Sequence, residues 1–97
     1  MHYELTIALK PDLAVEMSKK VFSQIEEFVK KSGGEVERTE SLGVKALSYQ
    51  IGKFEQAGFE RLYLQLDPSK VGELRRQLER DESLLRVFIV KVEEGKK

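Results

Sequence analysis

Tyr3-Glu4-Leu5-Thr6-Ile7-Ala8-Leu9 places a large apolar side chain at every odd position and a polar or small one, Glu4, Thr6 and Ala8, at every even position. A repeat of two is the mark of a strand with one buried face. The stretch runs at once into Lys10-Pro11-Asp12, so whatever covers its apolar face must arrive from later in the chain. Its second face is then the natural place for something other than folding.

Ninety-seven residues suffice for one hydrophobic core and not for two. A single domain over residues 1–93 is expected, with 94–97 a charged tail. Seventeen Lys and Arg balance seventeen Asp and Glu, so no net field draws the chain to nucleic acid or an anionic membrane, and any basic site must be a local patch. The absence of Cys removes disulfides, thiolate metal sites and cysteine nucleophiles, and suits a cytoplasmic protein. The apolar run 87–90 is far below the roughly 18 residues of a membrane span. Glu4 and Lys10 interrupt any signal-peptide core, so a soluble, untargeted protein is expected.

Two segments can cover the first strand. Leu13, Met17, Val21, Ile25 and Phe28 step by four, four, four and three, which is one face of a helix over about residues 13–32. Asp12 stands at its cap, Phe22 and Val29 widen the stripe, Lys30 and Lys31 suit the carboxyl end, and Gly33-Gly34 supplies a stop. The second is Asp67-Pro68, an N-cap with proline at the first helical position, followed by Val71, Leu74 and Leu78 to about Arg80.

Between them, Val36, Leu42, Val44, Leu47, Tyr49 and Ile51 lie scattered among polar residues, as in a long irregular edge strand, and Gly43 suggests a bulge in it. Residues 52–58 are expected to form a hairpin loop. Leu62, Leu64 and Leu66 then alternate with Arg61, Tyr63 and Gln65, and residues 85–92 make a last strand with Val87 and Ile89 on one face and Arg86, Phe88 and Val90 on the other.

The order is βαββαβ. Right-handed crossovers in both halves interleave the strands as an antiparallel sheet ordered 4-1-3-2, an α+β, ferredoxin-like arrangement with both helices on one face. The other face, bearing Glu4, Thr6, Arg61, Tyr63, Arg86, Phe88 and Val90, has no helix left to cover it. Apolar groups rimmed by arginine on an open sheet imply a partner.

Catalysis finds little material. His2 and Glu4 are two ligands at a free end, short of a metal site; Glu26-Glu27 and Asp81-Glu82 are neighbours that diverge on a helix; Ser41 and Ser48 have no histidine to activate them. No enzyme, cofactor, metal or small-molecule substrate is expected. The same architecture serves RNA-recognition modules, which stack bases on strand aromatics. Here Glu60 and Leu62 occupy positions where that module needs a small residue and an aromatic, so packing against a protein is the better reading of Phe59 and Tyr63. Phosphate contacts fall to His2, Lys45, Lys53 and Arg86, near strand ends and the hairpin.

Three stretches together carry a resemblance: 3–13 (Tyr-Glu-Leu-Thr-Ile-Ala-Leu-Lys-Pro-Asp-Leu), 42–53 (Leu-Gly-Val-Lys-Ala-Leu-Ser-Tyr-Gln-Ile-Gly-Lys) and 85–91 (Leu-Arg-Val-Phe-Ile-Val-Lys). The chain resembles bacterial small-subunit ribosomal protein six from Met1 to about Glu93. The resemblance implies a ferredoxin-like fold and a cytoplasmic, ribosomal, non-catalytic role. It also implies binding to the central domain of 16S ribosomal RNA together with small-subunit protein eighteen. RNA contacts are then expected at His2, Lys45, Tyr49, Lys53 and Arg86, and a protein interface at Arg61, Tyr63, Phe88 and Val90. Where that family carries two adjacent basic residues and a later proline, this chain has Lys45-Ala46 and Gln50. With few basic contacts of its own, it would lean on a more basic partner. A regulatory or oligomerisation domain binding a small ligand or its own copy is the alternative that this fold also serves.

Overall fold

A computed structural model describes residues 1–11 and 14–92, with the side chains of 14–17 excepted. The cap at Asp12, the stripe residues Leu13 and Met17, and the tail from Glu93 fall outside the described residues and side chains. The elements are β1 (His2–Leu9), α1 (Ala14–Lys31), β2 (Glu35–Ile51), β3 (Phe54–Gln65), α2 (Pro68–Glu79) and β4 (Leu84–Val92). One sheet ordered β2-β3-β1-β4 holds all four strands, each antiparallel to its neighbours. This is the expected order, with β1 and β3 in the middle.

The alternations of β1 and β3 build the core. Tyr3, Leu5, Ile7 and Leu9 meet Leu62 and Leu64 of β3, Leu66 just after it, Val21, Ile25 and Val29 of α1, and Leu74 and Leu78 of α2. Each fully buried Leu, Ile or Val contributes about 1.5–3 kcal/mol through the apolar area it removes from water. Asp67 caps α2 by accepting from the Ser69 amide at 2.9 Å and from its hydroxyl at 2.8 Å. At the end of α1 the Gly34 amide donates to the Val29 carbonyl and the Gly33 amide to that of Lys30, a Schellman closure for which Gly33 adopts φ +83°. Gly34 then lies against the carbonyl of Gln65, leaving no room for a Cβ.

The edge strand β2 is irregular for a countable reason. It has 17 residues against the 12 of β3, and the excess is absorbed at three register shifts. One extra residue enters between Val36 and Arg38 and one between Ser41 and Gly43, where Gly43 takes φ +79° as a bulge requires. Three enter between Ala46 and Ile51, where residues 47–50 stand opposite Glu55 alone. The hairpin itself is shorter than the sequence suggests. Ile51 pairs with Phe54 across a two-residue turn, Gly52-Lys53, in which Gly52 supplies φ +59°, so residues 54–58 are strand rather than loop. Gly58, which reads as a loop residue, is buried in mid-sheet between Leu9 and Val44.

Candidate functional site

Four rows cross the open face from β4 to β2, and their register follows from the pairing of β1. They are Val92–His2–Gln65–Glu35, Val90–Glu4–Tyr63–Arg38, Phe88–Thr6–Arg61–Glu40 and Arg86–Ala8–Phe59–Gly43. The first and last rows lie six residues apart along β1, about 20 Å at the rise of an extended strand. His2, whose Nδ1 lies 3.2 Å from a Glu37 carboxylate oxygen, is therefore separated from the other expected RNA-contact residues. Lys45, Tyr49 and Lys53 belong to the β2–β3 hairpin beyond the last row, and Arg86 lies in that row.

The middle rows hold a closed set of charges. Arg61 approaches Glu4 at 3.7 Å and Glu40 at 3.9 Å, and Arg38 approaches Glu40 at 3.6 Å. The Arg38 guanidinium stacks 4.3 Å from the centre of the Tyr63 ring, whose hydroxyl donates to Glu40 at 3.4 Å. Long, half-exposed pairs of this kind contribute about 0–1 kcal/mol each, so their effect is neutralisation rather than stability. Two arginines and two carboxylates cancel, and neither arginine is left to attract a phosphate. Of the four residues expected at a protein interface, Arg61 and Tyr63 are held in this set, whereas Phe88 and Val90 stand out at 49% and 57% exposure.

At the hairpin end the face changes character. Leu47, Ser48, Tyr49 and Ile51 from the bulged end of β2 join Ala8, Ala46, Phe59, Arg86 and Phe88 around a cleft of about 190 Å³. Tyr49 and Arg86, expected on RNA, and Phe88, expected on a protein, thus line one feature. Lys45 and Lys53 do not line it. Lys53 instead lies 5.7 Å from the Phe54 ring, which Lys10 approaches at 6.0 Å. The cleft was not legible in the sequence, because it depends on how many residues the bulge holds.

The burial of Glu60 was not read from the sequence. Glu60 is 7% exposed on the helix side of β3, paired with Ile7 and Ser41, and accepts from the Ser41 hydroxyl at 3.2 Å. Burial pushes its carboxyl above the ordinary value, and the Ser41 hydrogen bond offsets this in part. Its phase with Leu62, Leu64 and Leu66 was the available signal. Among the described residues no group of three or more His, Asp or Glu could hold a metal ion, and no helix is long and apolar enough to cross a membrane.

The described residues thus form an open-faced βαββαβ sheet with a charge-matched centre and a cleft at one end. Residues 2–91 match the family model for ribosomal protein S6. Similar curated proteins are all described as small ribosomal subunit protein bS6: that of Nitratiruptor is 39% identical over 98% of this chain and 74% of its own length, that of Aquifex aeolicus 38% over 97% and 86%. That of Sulfurimonas denitrificans is 34% identical over 93% of this chain, which spans 66% of its length, just under two thirds. The crystal structure of 30S ribosomal protein S6 from Thermotoga maritima superposes with a TM-score of 0.82 at 18% identity, covering 92% of this chain and 84% of that one, which shows a shared fold. The chain belongs to the ribosomal protein S6 family. That family consists of non-enzymatic structural proteins of the small subunit, components of the cytoplasmic ribosome.

Proposed function

We propose that this chain is a constituent of the small ribosomal subunit that binds the central domain of 16S ribosomal RNA as one half of a pair with small-subunit protein eighteen, residues 1–93 acting as one unit. The open face, with Phe88 and Val90 exposed and Arg61 and Tyr63 in the central set, receives the partner protein. His2, Lys45, Tyr49, Lys53 and Arg86 supply the RNA contacts at its two ends. The observation that carries this reading is that both helices lie on one face of the sheet while the other keeps exposed apolar side chains around internally cancelled charges.

RNA affinity is then a property of the pair. Each phosphate contact releases counterions, and log K falls by about 0.7–0.9 per contact for each log unit of salt. A few dispersed cations on a chain with seventeen acidic residues support weak binding alone. A basic partner adds its own contacts and fixes these in register without a second loss of translational freedom. Filter binding of central-domain RNA over a salt series, with each protein alone and with both, tests this. The pair should bind far more tightly than either protein, and Lys45→Glu should lower the salt slope of the pair by about one contact. Equal affinity and slope for this chain alone would refute the pair.

A further inference from the structure

Resting on that reading, we propose that the cleft at the hairpin end of the open face is an anchor pocket for one large apolar side chain of the partner protein, with an acidic group beside that side chain reaching Arg86. Three observations commit the cleft to this occupant. First, its size: about 190 Å³ lies below the roughly 300–1,000 Å³ of sites that enclose a small molecule, and suits a single inserted group. Second, its lining: Ala8, Ala46, Leu47, Ile51, Phe59 and Phe88 are apolar, the polar groups are those of Ser48, Tyr49 and Arg86, and the hairpin lysines that would hold a phosphate do not border it. Beyond Phe88 on the same face of β4 stand exposed Val90 and Val92, so that an apolar strip continues along the strand.

Third, its charge: Arg86 donates to the carbonyl of its neighbour Leu85 at 3.0 Å and, among the described residues, forms no salt bridge, whereas Arg38 and Arg61 in the middle of the same face are matched by carboxylates of this chain. A cation at the lip of an apolar cleft, without an acid of its own, is complemented by an acid from outside. This inference moves Arg86 and Tyr49, which both border the cleft, from the RNA contacts to the protein interface. The three-residue excess in β2 becomes the device that makes the pocket, since bulges re-aim side chains next to functional sites.

Titration calorimetry of the full chain with purified protein eighteen tests the pocket against two variants whose folding is checked by thermal melting. Ala46→Phe fills the cleft and should weaken binding about thirtyfold, the loss of about 2 kcal/mol that marks an anchor. Val90→Asp lies outside the cleft on the same face and tests the face itself. Weakening by both supports the pocket. Weakening by Val90→Asp alone overturns it while leaving the docking face in place, and no effect from either removes both.

Should Ala46→Phe fail to fold, methyl NMR of the unsubstituted chain decides the matter. Intermolecular contacts from the Ala46, Leu47 and Ile51 methyls to apolar side-chain protons of the partner support the pocket. Their absence in the bound state overturns it, as does a shift of these methyls produced by a central-domain RNA fragment alone, which would mark a base-binding cleft.

Discussion

Neighbouring residues of β3 lead different lives on the two sides of the sheet. Leu62 and Leu64 are closed in by both helices, where every lost contact leaves a void. Arg61 and Tyr63, each one residue away, lie in a lattice of long ion pairs and a stacked ring that water can partly reach. The helix side is specified by shape, the open side by charge cancellation and by what it leaves exposed. On the proposed function, stability and recognition lie on opposite faces of the same strands, and substitutions should separate them.

The largest separation is expected in β3. Leu64→Ala removes a side chain that is 1% exposed and should cost about 2–5 kcal/mol through lost burial and a residual cavity. Tyr63→Ala loses a stacked guanidinium and one long hydrogen bond, and should cost about 1 kcal/mol. Urea denaturation of the two variants measures the difference. A larger loss from Tyr63→Ala would mean that the open side is as tightly built as the core.

Next comes a substitution that should act on recognition with little effect on folding. Phe88 is half exposed at the edge of the cleft, so Phe88→Asp should change stability by about 0.5 kcal/mol or less and yet strongly reduce capture of protein eighteen. Melting and pull-down on the same preparation check both halves. A folded Phe88→Asp protein that captures the partner undiminished would take the open face out of the interface.

The ease with which the two sides could be read differs in the same way. Period-two runs such as 3–9 and 61–66 announce the core strands, and Asp67-Pro68 and Gly33-Gly34 announce helix ends, because each is a local rule with one geometric solution. The β2–β3 hairpin is opaque because its shape depends on how unequal strand lengths are reconciled. Gly58 reads as loop but fits mid-sheet, Gly52-Lys53 makes the turn, and the surplus at 47–50 is fixed only by pairing across the sheet. The open-face candidates could be named one by one. That Arg61 is matched by Glu4 and Glu40 while Arg86 meets no carboxylate among the described residues, or that His2 sits a strand length from Lys45, depends on register that the sequence alone leaves open.

The smallest effect comes from Glu60, the one charged residue buried on the helix side among the described residues. Glu60 sits on the core side, and its burial raises the carboxyl pKa from the ordinary 4.5, with the Ser41 hydrogen bond opposing the shift. For a carboxyl raised in the folded state, the proton is held more tightly there than in the unfolded chain. The associated stability is present in full below the unfolded pKa and is lost as pH rises through the folded one. At neutral pH the native chain therefore carries a buried charge whose cost is only partly offset. Glu60→Gln keeps the shape and a group able to pair with the Ser41 hydroxyl, but has no charge to desolvate. Its stability relative to the native chain should climb as pH rises from about 4 to 7 and be greatest at neutrality. Denaturation midpoints of this variant and the native chain across that range measure the difference. A Glu60→Gln difference that stays flat with pH would return Glu60 to the class of solvated surface charges.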